Sequence, residues 1–516
     1  MIGQAMQLAV QNHRAGKFAE AEKIYRQVLD LQPDQPDALH LLGVLVHQAG
    51  RTDLAIELIQ RAIAINPNIA DYHNNLGRAL WGKGRLDEAI ASLRRAIQLK
   101  PDLLEAHANL GIVLRDRGLL DEALDTYRNL LRLKPDFAEA HNNLAVVLRQ
   151  QGRLDEAIDS YRNALRFNPD YAEAHNNLGI SLHFTGRYDK AIDAYRNAVR
   201  LKPDYAEARH NLALTLLLKE NFAEGWPEYE WRWRCKGIAS PPRRWKQPRW
   251  DGAPLNGQTI LLYADQGFGD AIQFVRYAPM VAGRGGRVVV GCPLELARLF
   301  RSNPDLGQIV SGDQGLPHFD LHCPLASLPL VFQTRMESIP ARVPYLNADP
   351  ALVEMWRQKL APSQGKLRVA LSWAGNPAFR GDRNRSLPFD CLTPLGGVRG
   401  ATFFSLQKGE ASQHAKNPPP GMDLIDLGPE LTDFADTAAV MSLMDVIIAI
   451  DSSVCHLAGA LARPVWLLLQ SVPEWRWLLN RDDSPWYPTM RLFRQKSTGD
   501  WSELIGRVAQ GLGAFR

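Results

Sequence analysis

The sequence predicts an α-solenoid followed by an α/β half of two doubly wound lobes, and three observations predict it. Pro33, Pro67, Pro101, Pro135, Pro169 and Pro203 recur every 34 residues, in step with Gly16, Gly50, Gly84, Gly118, Gly152 and Gly186. After Asn256 the pattern changes to short apolar runs that alternate with helical segments. Pro-rich sequence around Pro340 to Pro362 divides those runs into two sets.

Within the repeat, Ala21, Ala55, Ala89, Ala123, Ala157 and Ala191 keep one phase, and Gly43, Gly77, Gly111, Ala145, Gly179 and Ala213 keep another. Small residues at those points let two helices cross closely; the mid-unit glycine marks the end of one helix and the proline closes the second. A 34-residue helix-turn-helix period with L-G, A and P in fixed order resembles the tetratricopeptide repeat. One helix pair cannot bury its apolar face alone, so the pairs must stack into a superhelix whose concave surface suits a protein partner. Seven pairs are expected, the last starting at Tyr205 with a divergent second helix, FAEGWPEYEWRW.

Most tetratricopeptide repeats carry a Trp four positions before the glycine of the L-G step; His73, His107, His141 and His175 stand there in this chain. Each is expected to pack between its own two helices. Equivalent side chains on stacked repeats stand roughly 8–10 Å apart, beyond the ~2 Å of a metal bond, so no metal site is expected from them. Asn75, Asn109, Asn143, Asn177 and Asn211 directly precede the Leu of the same step. In the resembling family this position faces the groove, where an amide both donates to and accepts from a peptide backbone. Similar asparagine ladders occur in the repeat arm of the eukaryotic O-GlcNAc transferase, so these five residues are the candidate acceptor-binding set.

Composition narrows the function. Sixty basic residues nearly balance 56 acidic ones, a formal charge of +4, which argues against a nucleic-acid polycation. Cys235, Cys292, Cys323, Cys391 and Cys455 are odd in number and without C-x-x-C spacing, so neither a disulfide framework nor a structural zinc site is expected, and a reducing cytoplasm fits. No signal pattern opens the chain, and no run approaches the ~20 apolar residues that span a bilayer.

The join, residues 236–256 after a repeat domain of 1–235, is rich in Trp and Arg. Trp226, Trp231, Trp233, Trp245 and Trp250 interleave with Arg232, Arg234, Lys236, Arg243, Arg244, Lys246 and Arg249. These residues are read as a capping helix and tether that dock the superhelix on the next domain, in preference to a nucleic-acid surface.

The runs TILLYAD, GRVVVGCP, QIVSG and FDLHCPL predict one parallel sheet in a lobe at 257–350. KLRVALSW, TFFSLQ, DLIDLG, VIIAID and VWLLLQ predict a second, in a lobe at 351–516. Two Rossmann-like lobes with strand ends aimed at a shared cleft form the architecture of GT-B glycosyltransferases. After the first strand, Asp265-Gln266-Gly267-Phe268-Gly269-Asp270 opens a helix, placing Asp270 at its start, where an N-cap is the bland alternative role. Strand VIIAID runs into Asp451-Ser452-Ser453-Val454-Cys455-His456, whose hydroxyls and free N–H groups make an anion site suited to a diphosphate.

The G-x-G-D turn plus D-S-x-x-x-H-L-A-G-A-L resembles the paired motifs of the ADP-heptose glycosyltransferases. With its repeat arm, nearly the whole chain is similar to bacterial repeat-containing glycosyltransferases that modify proteins, flagellins among them. Ser453 stands where the heptosyltransferase motif has Gly, and the first helix reaches a proline only at Pro279, so donor identity does not carry over. The resemblance implies Asp270 as general base on the acceptor hydroxyl. Lys408, Arg385, Ser452, Ser453 and His456 are expected to cradle the nucleotide-sugar donor's phosphates, with Gly375 and Asn376 of WAGNP contacting nucleotide or diphosphate. Asp451 is expected to fix its loop through backbone N–H groups. No D-x-D occurs, so neither a metal nor any cofactor beyond the nucleotide-sugar substrate is expected. Glu474 and Arg476 of VPEWRW follow the last predicted strand and receive no role. The function expected is cytoplasmic, inverting transfer of a sugar to Ser or Thr of a protein held in the groove. The alternatives are a saccharide or lipid-linked glycan as acceptor, and a non-catalytic scaffold that binds a nucleotide sugar.

Overall fold

The computed structural model describes residues 2–238, 245–312, 315–361, 365–378 and 381–515. Arg243, Arg244 and Pro362, singled out above, lie outside them. Two compact units result, Met1–Pro203 and Asp204–Arg516.

Among the described residues, fourteen α-helices from Ile2–Arg14 to Phe222–Tyr229 form seven antiparallel pairs. The last pair, Ala206–Leu218 and Phe222–Tyr229, belongs to the second unit, so the compact boundary falls at the sixth repeat's proline instead of at residue 235. The period has a backbone cause. Gly16, Gly50, Gly84, Gly118, Gly152 and Gly186 all take φ between +73 and +86°, the left-handed conformation that ends a helix and that only glycine adopts without strain. The other glycine phase is steric. A Cβ on Gly111 would lie 2.5 Å from the Tyr127 ring, and one on Gly179 equally close to Tyr195, so the missing side chain is what lets each aromatic of the second helix seat on the first.

The histidines do more than fill space. Nε2 of His73, His107, His141 and His175 donates to the carbonyl of Pro67, Pro101, Pro135 and Pro169 at 2.8–3.0 Å, tying each helix start to the proline that closes the preceding repeat. This satisfies carbonyls that no helix N–H reaches.

The second unit holds two all-parallel sheets. In the first, β1 (Thr259–Tyr263), β2 (Arg287–Cys292), β3 (Gln308–Ser311) and β4 (Leu321–Pro324) lie in the order β3-β2-β1-β4. In the second, β5 (Leu367–Ser372), β6 (Ala401–Ser405), β7 (Leu424–Asp426), β8 (Val446–Ile450), β9 (Val465–Leu469) and β10 (Met490–Arg494) lie in the order β10-β9-β8-β5-β6-β7. Nine strands fall on the predicted runs. The tenth, MRLFR, escapes that reading because an exposed arginine interrupts its apolar residues at the sheet edge.

Both sheets run outward from a central strand and then reverse, so β1/β4 and β5/β8 are topological switch points, where open α/β sheets leave a crevice at their carboxyl ends. β1, β6, β8 and β9 are buried along their whole length, which accounts for their unbroken apolar sequence. No helix among the described residues is long and apolar enough to cross a membrane.

Candidate functional site

The loops after β1, β5, β8 and β9 converge on one cluster of charged groups. Glycine opens the first of them: Gly267 is the N-cap of the helix Phe268–Phe274, and Asp270 sits in its first turn. Asp270 is therefore not the cap, and its carboxylate is directed to a side chain from the other sheet. Arg476, in the turn after β9, donates Nη2 to Asp270 Oδ1, Nε to Gln273 Oε1 and Nη1 to Glu474 Oε1. Its side chain is only 9% exposed and stacks over the Trp475 ring at 4.4 Å. Glu474 also accepts from the Arg476 backbone N–H at 3.0 Å, capping that turn.

Asp270 and the helix Ser453–Ala460 meet through Gly269. A Cβ there would lie 2.9 Å from His456 Cδ2 and 3.5 Å from Ser453 Cα, so the two motifs read from the sequence are in contact. His456 is buried; Nδ1 pairs with Tyr487 Oη at 2.9 Å and the ring stacks on Trp477. Burial first, then the charges of Arg476, Arg276 and Arg385, hold it well below the ordinary histidine range, so it serves as a neutral partner and not as a cation. Ser452 is the N-cap of this helix, and its buried Oγ has no partner among the described residues. Asp451 is held high by burial, against the pull of Arg476 and Arg385. Asp451, Cys455 and His456 bring possible ligand atoms within 4.8 Å of one another. The Cys455 thiol donates to the Ser452 carbonyl at 2.9 Å, and burial pushes it well up.

The remaining donor candidates form a second, adjoining lattice. Gln407 Oε1 accepts from the N–H of Trp373 and Ala374, and its Nε2 donates to the carbonyls of Ala374 and Lys408. Gly375 N–H donates to Ser386 Oγ at 2.9 Å, Ser386 donates to Asp382, and Arg385 Nε pairs with Asp382 at 3.0 Å. A Cβ at Gly375 would lie 2.1 Å from Asp382 Oδ1, so glycine is required for this fold-over. Asn376 closes an Asx turn by accepting from Ala378 N–H. Lys408 is exposed, but Nζ turns back to the carbonyls of Gly428 and Leu431 at 2.9 and 2.8 Å.

The last helix pair is wired into the same cluster. Arg232, with no exposed surface, pairs with Asp265 at 2.9 Å and with Glu230 at 2.6 Å, and donates to Ser327. With its amide oriented to suit its neighbours, Gln266 accepts from Arg232 Nε and donates to Asp270 Oδ1 at 3.1 Å. Trp226 Nε1 donates to the Thr334 carbonyl and its ring stands edge-on to Trp475. Trp226 thus docks the second helix of the seventh pair on the α/β fold.

The asparagine ladder is largely self-paired. Nδ2 of Asn75 donates to His40 Nε2 at 2.8 Å, Asn109 to Asn74 at 2.9 Å and Asn177 to Asn142 at 3.2 Å, each a bond to the repeat before. Asn143 has Ala108 at the corresponding point and accepts from Asn142 instead. Asn211, on the helix Ala206–Leu218, lies in the second unit. Sequence reasoning placed Asp270, Ser453 and His456 together and left Arg476 and Glu474 unassigned. Their signal was a pair of charges alternating with two tryptophans, after a proline just past a strand.

A solenoid of tetratricopeptide repeats joined to parallel α/β sheets is the class these elements define. The TPR repeat model matches residues 82–114, 113–148, 146–186 and 181–219, and a tetratricopeptide repeat model matches 13–78. Protein FlbA of Caulobacter vibrioides (strain ATCC 19089 / CIP 103742 / CB 15) is 27% identical over 329 residues, 58% of this chain and 54% of that protein. The chain thus spans about half the length of this relative. Among solved structures, MamA is 27% identical with a TM-score of 0.30, over 32% of this chain and 96% of that one. YrrB, described as a TPR protein with an unusual peptide-binding site, is 19% identical with a TM-score of 0.32, over 36% and 96%.

Proposed function

We propose that this chain is a metal-independent, inverting glycosyltransferase of GT-B architecture that moves a sugar from a nucleotide donor to Ser or Thr of a protein held by the repeats. The observation that carries the reading is the contact of Gly269 with His456 and Ser453, which unites the loops after β1 and β8 at two switch points. Inverting transfer needs a base for the acceptor hydroxyl on one side of the sugar and charge stabilisation for the leaving phosphate on the other. Asp270 supplies the base. The first turn of Ser453–Ala460, the Ser452 hydroxyl and the Arg385–Gly375 fold-over supply the cradle, with His456 as a neutral support. Lys408 reaches the donor through whatever capacity its two carbonyl bonds leave. The repeats present the acceptor, flagellin-type proteins included, in the cytoplasm.

One observation favours a second reading, a non-catalytic scaffold that binds a nucleotide sugar: Lys408 and the ladder amides already have partners within the chain. Intact-mass spectrometry of the host's proteins with and without this gene separates the two. A hexose-sized or larger increment on Ser or Thr that disappears with the gene supports transfer; identical spectra sink it.

A further inference from the structure

Arg476 is shared. Its three donor directions are occupied by Asp270, Gln273 and Glu474, the first two on the helix after β1 and the third on its own turn after β9. The planar guanidinium fixes all three at once, which the single point charge of lysine does not do. With both carboxylates ionised on one buried cation, the trio carries a net charge of −1. If Asp270 takes the proton of an acceptor hydroxyl, the trio becomes neutral, with Arg476 balanced by Glu474. Without Glu474 the same step would leave an uncompensated cation in a buried site, which burial disfavours.

Resting on the reading of Asp270 as base, we propose that Glu474 is a positioning residue: by sharing the Arg476 guanidinium with Asp270 it balances the cation's charge and favours proton uptake by Asp270. The groups facing this pair are Arg476 on its own turn, Asp451 after β8, Asp270 after β1, Tyr229 on the helix Phe222–Tyr229, and, next to Asp451 and Arg476, Arg385 and His456. Burial, helped by Asp451 and opposed by Arg476, pushes Glu474 up to about 7. Its ionisation is therefore observable in the neutral range.

The test uses the full chain with 13C-labelled Glu side-chain carboxyls and needs no substrate. The Glu474 signal is the one lost in Glu474→Gln. In Asp270→Asn the guanidinium is left to Glu474 alone, so the Glu474 midpoint should fall by roughly one pH unit. In Arg476→Gln it should rise. A Glu474 midpoint in Asp270→Asn equal to that of the unmodified chain overturns the proposal, and this variant decides the matter even if Arg476→Gln fails to fold. The two readings fail separately. Normal transfer by Asp270→Asn with a shifted Glu474 removes the base and leaves the coupling, whereas lost transfer with an unmoved Glu474 does the reverse.

Discussion

Arg232 and Asp265 form an ion pair at 2.9 Å in which the guanidinium has no exposed surface and the carboxylate side chain 2%. One partner lies in the turn that follows the last repeat helix and the other lies two residues past β1, five before Asp270. The segment after the seventh helix pair is therefore anchored inside the α/β fold. Asp265 is itself held high because burial outweighs its partner, so the pair is a specification of how these elements meet more than a source of stability.

Removing residues 1–203 should leave a folded α/β unit, whereas removal of 1–235 should not, because Asp265 and Thr334 would lose buried partners. Circular dichroism melts of the two truncations check this. In the full chain, Arg232→Met should cost about 3–5 kcal/mol by leaving Asp265 buried and unpaired. A cost below 1 kcal/mol would mean that Asp265 is relieved by some other group.

Gly111→Ala should destabilise mildly, by about 1 kcal/mol, although a Cβ would lie 2.5 Å from the Tyr127 ring. Ala145 occupies the same phase in the next repeat and is fully buried, so the ring position tolerates a methyl after a small shift. Gly111→Leu should cost several times more. Chemical denaturation of both variants tests the steric account of the repeat.

Acid should weaken the fold early. His40, His183 and His210 are each held down to about 4 by burial, and His456 lies well below its ordinary 6.5. A histidine depressed in the folded state contributes stability that is present above its unfolded value and lost as pH falls. Unfolding free energy should thus drop between about pH 6.5 and 4, and His456→Gln should reduce the slope. Glu474 works in the opposite sense, since a raised carboxyl loses its contribution as pH climbs towards 7. A His456→Gln variant whose slope between pH 6.5 and 4 equals that of the unmodified chain would contradict the burial of that imidazole.

Asp270→Asn retains shape but accepts no proton, so transfer should fall by roughly 10²–10⁴-fold. Donor affinity, read by calorimetry, should hardly move. Transfer should persist in excess EDTA, the sequence having no D-x-D clamp. Activity abolished by chelation and restored by Mn²⁺ would refute the metal-independent mechanism.

Lys408→Ala should weaken donor binding and turnover together if the ammonium reaches phosphate. Because Nζ also bonds two carbonyls from an exposed position, the same change should lower stability by about 1 kcal/mol. Lost stability with unchanged donor affinity would assign Lys408 to the 428–431 loop alone.

By itself the sequence determined what repeats and what is buried. The 34-residue period follows from local backbone chemistry, because a left-handed glycine and a closing proline act within a few residues of themselves. Unbroken apolar runs marked β1, β6, β8 and β9 for the same reason: burial on both faces leaves no polar position. Asp270 and His456 were legible as strand-end residues of paired motifs. Only the tertiary structure decided their partners. Arg476 meets Asp270 across 206 residues of chain, and Arg232 meets Asp265 across 33. Such pairings depend on how two sheets and a helix pair come together, which no local pattern encodes. The same holds for the ladder: an asparagine before each L-G step looks free to bind a peptide until stacking places the previous repeat's Asn74 or Asn142 within reach of its amide.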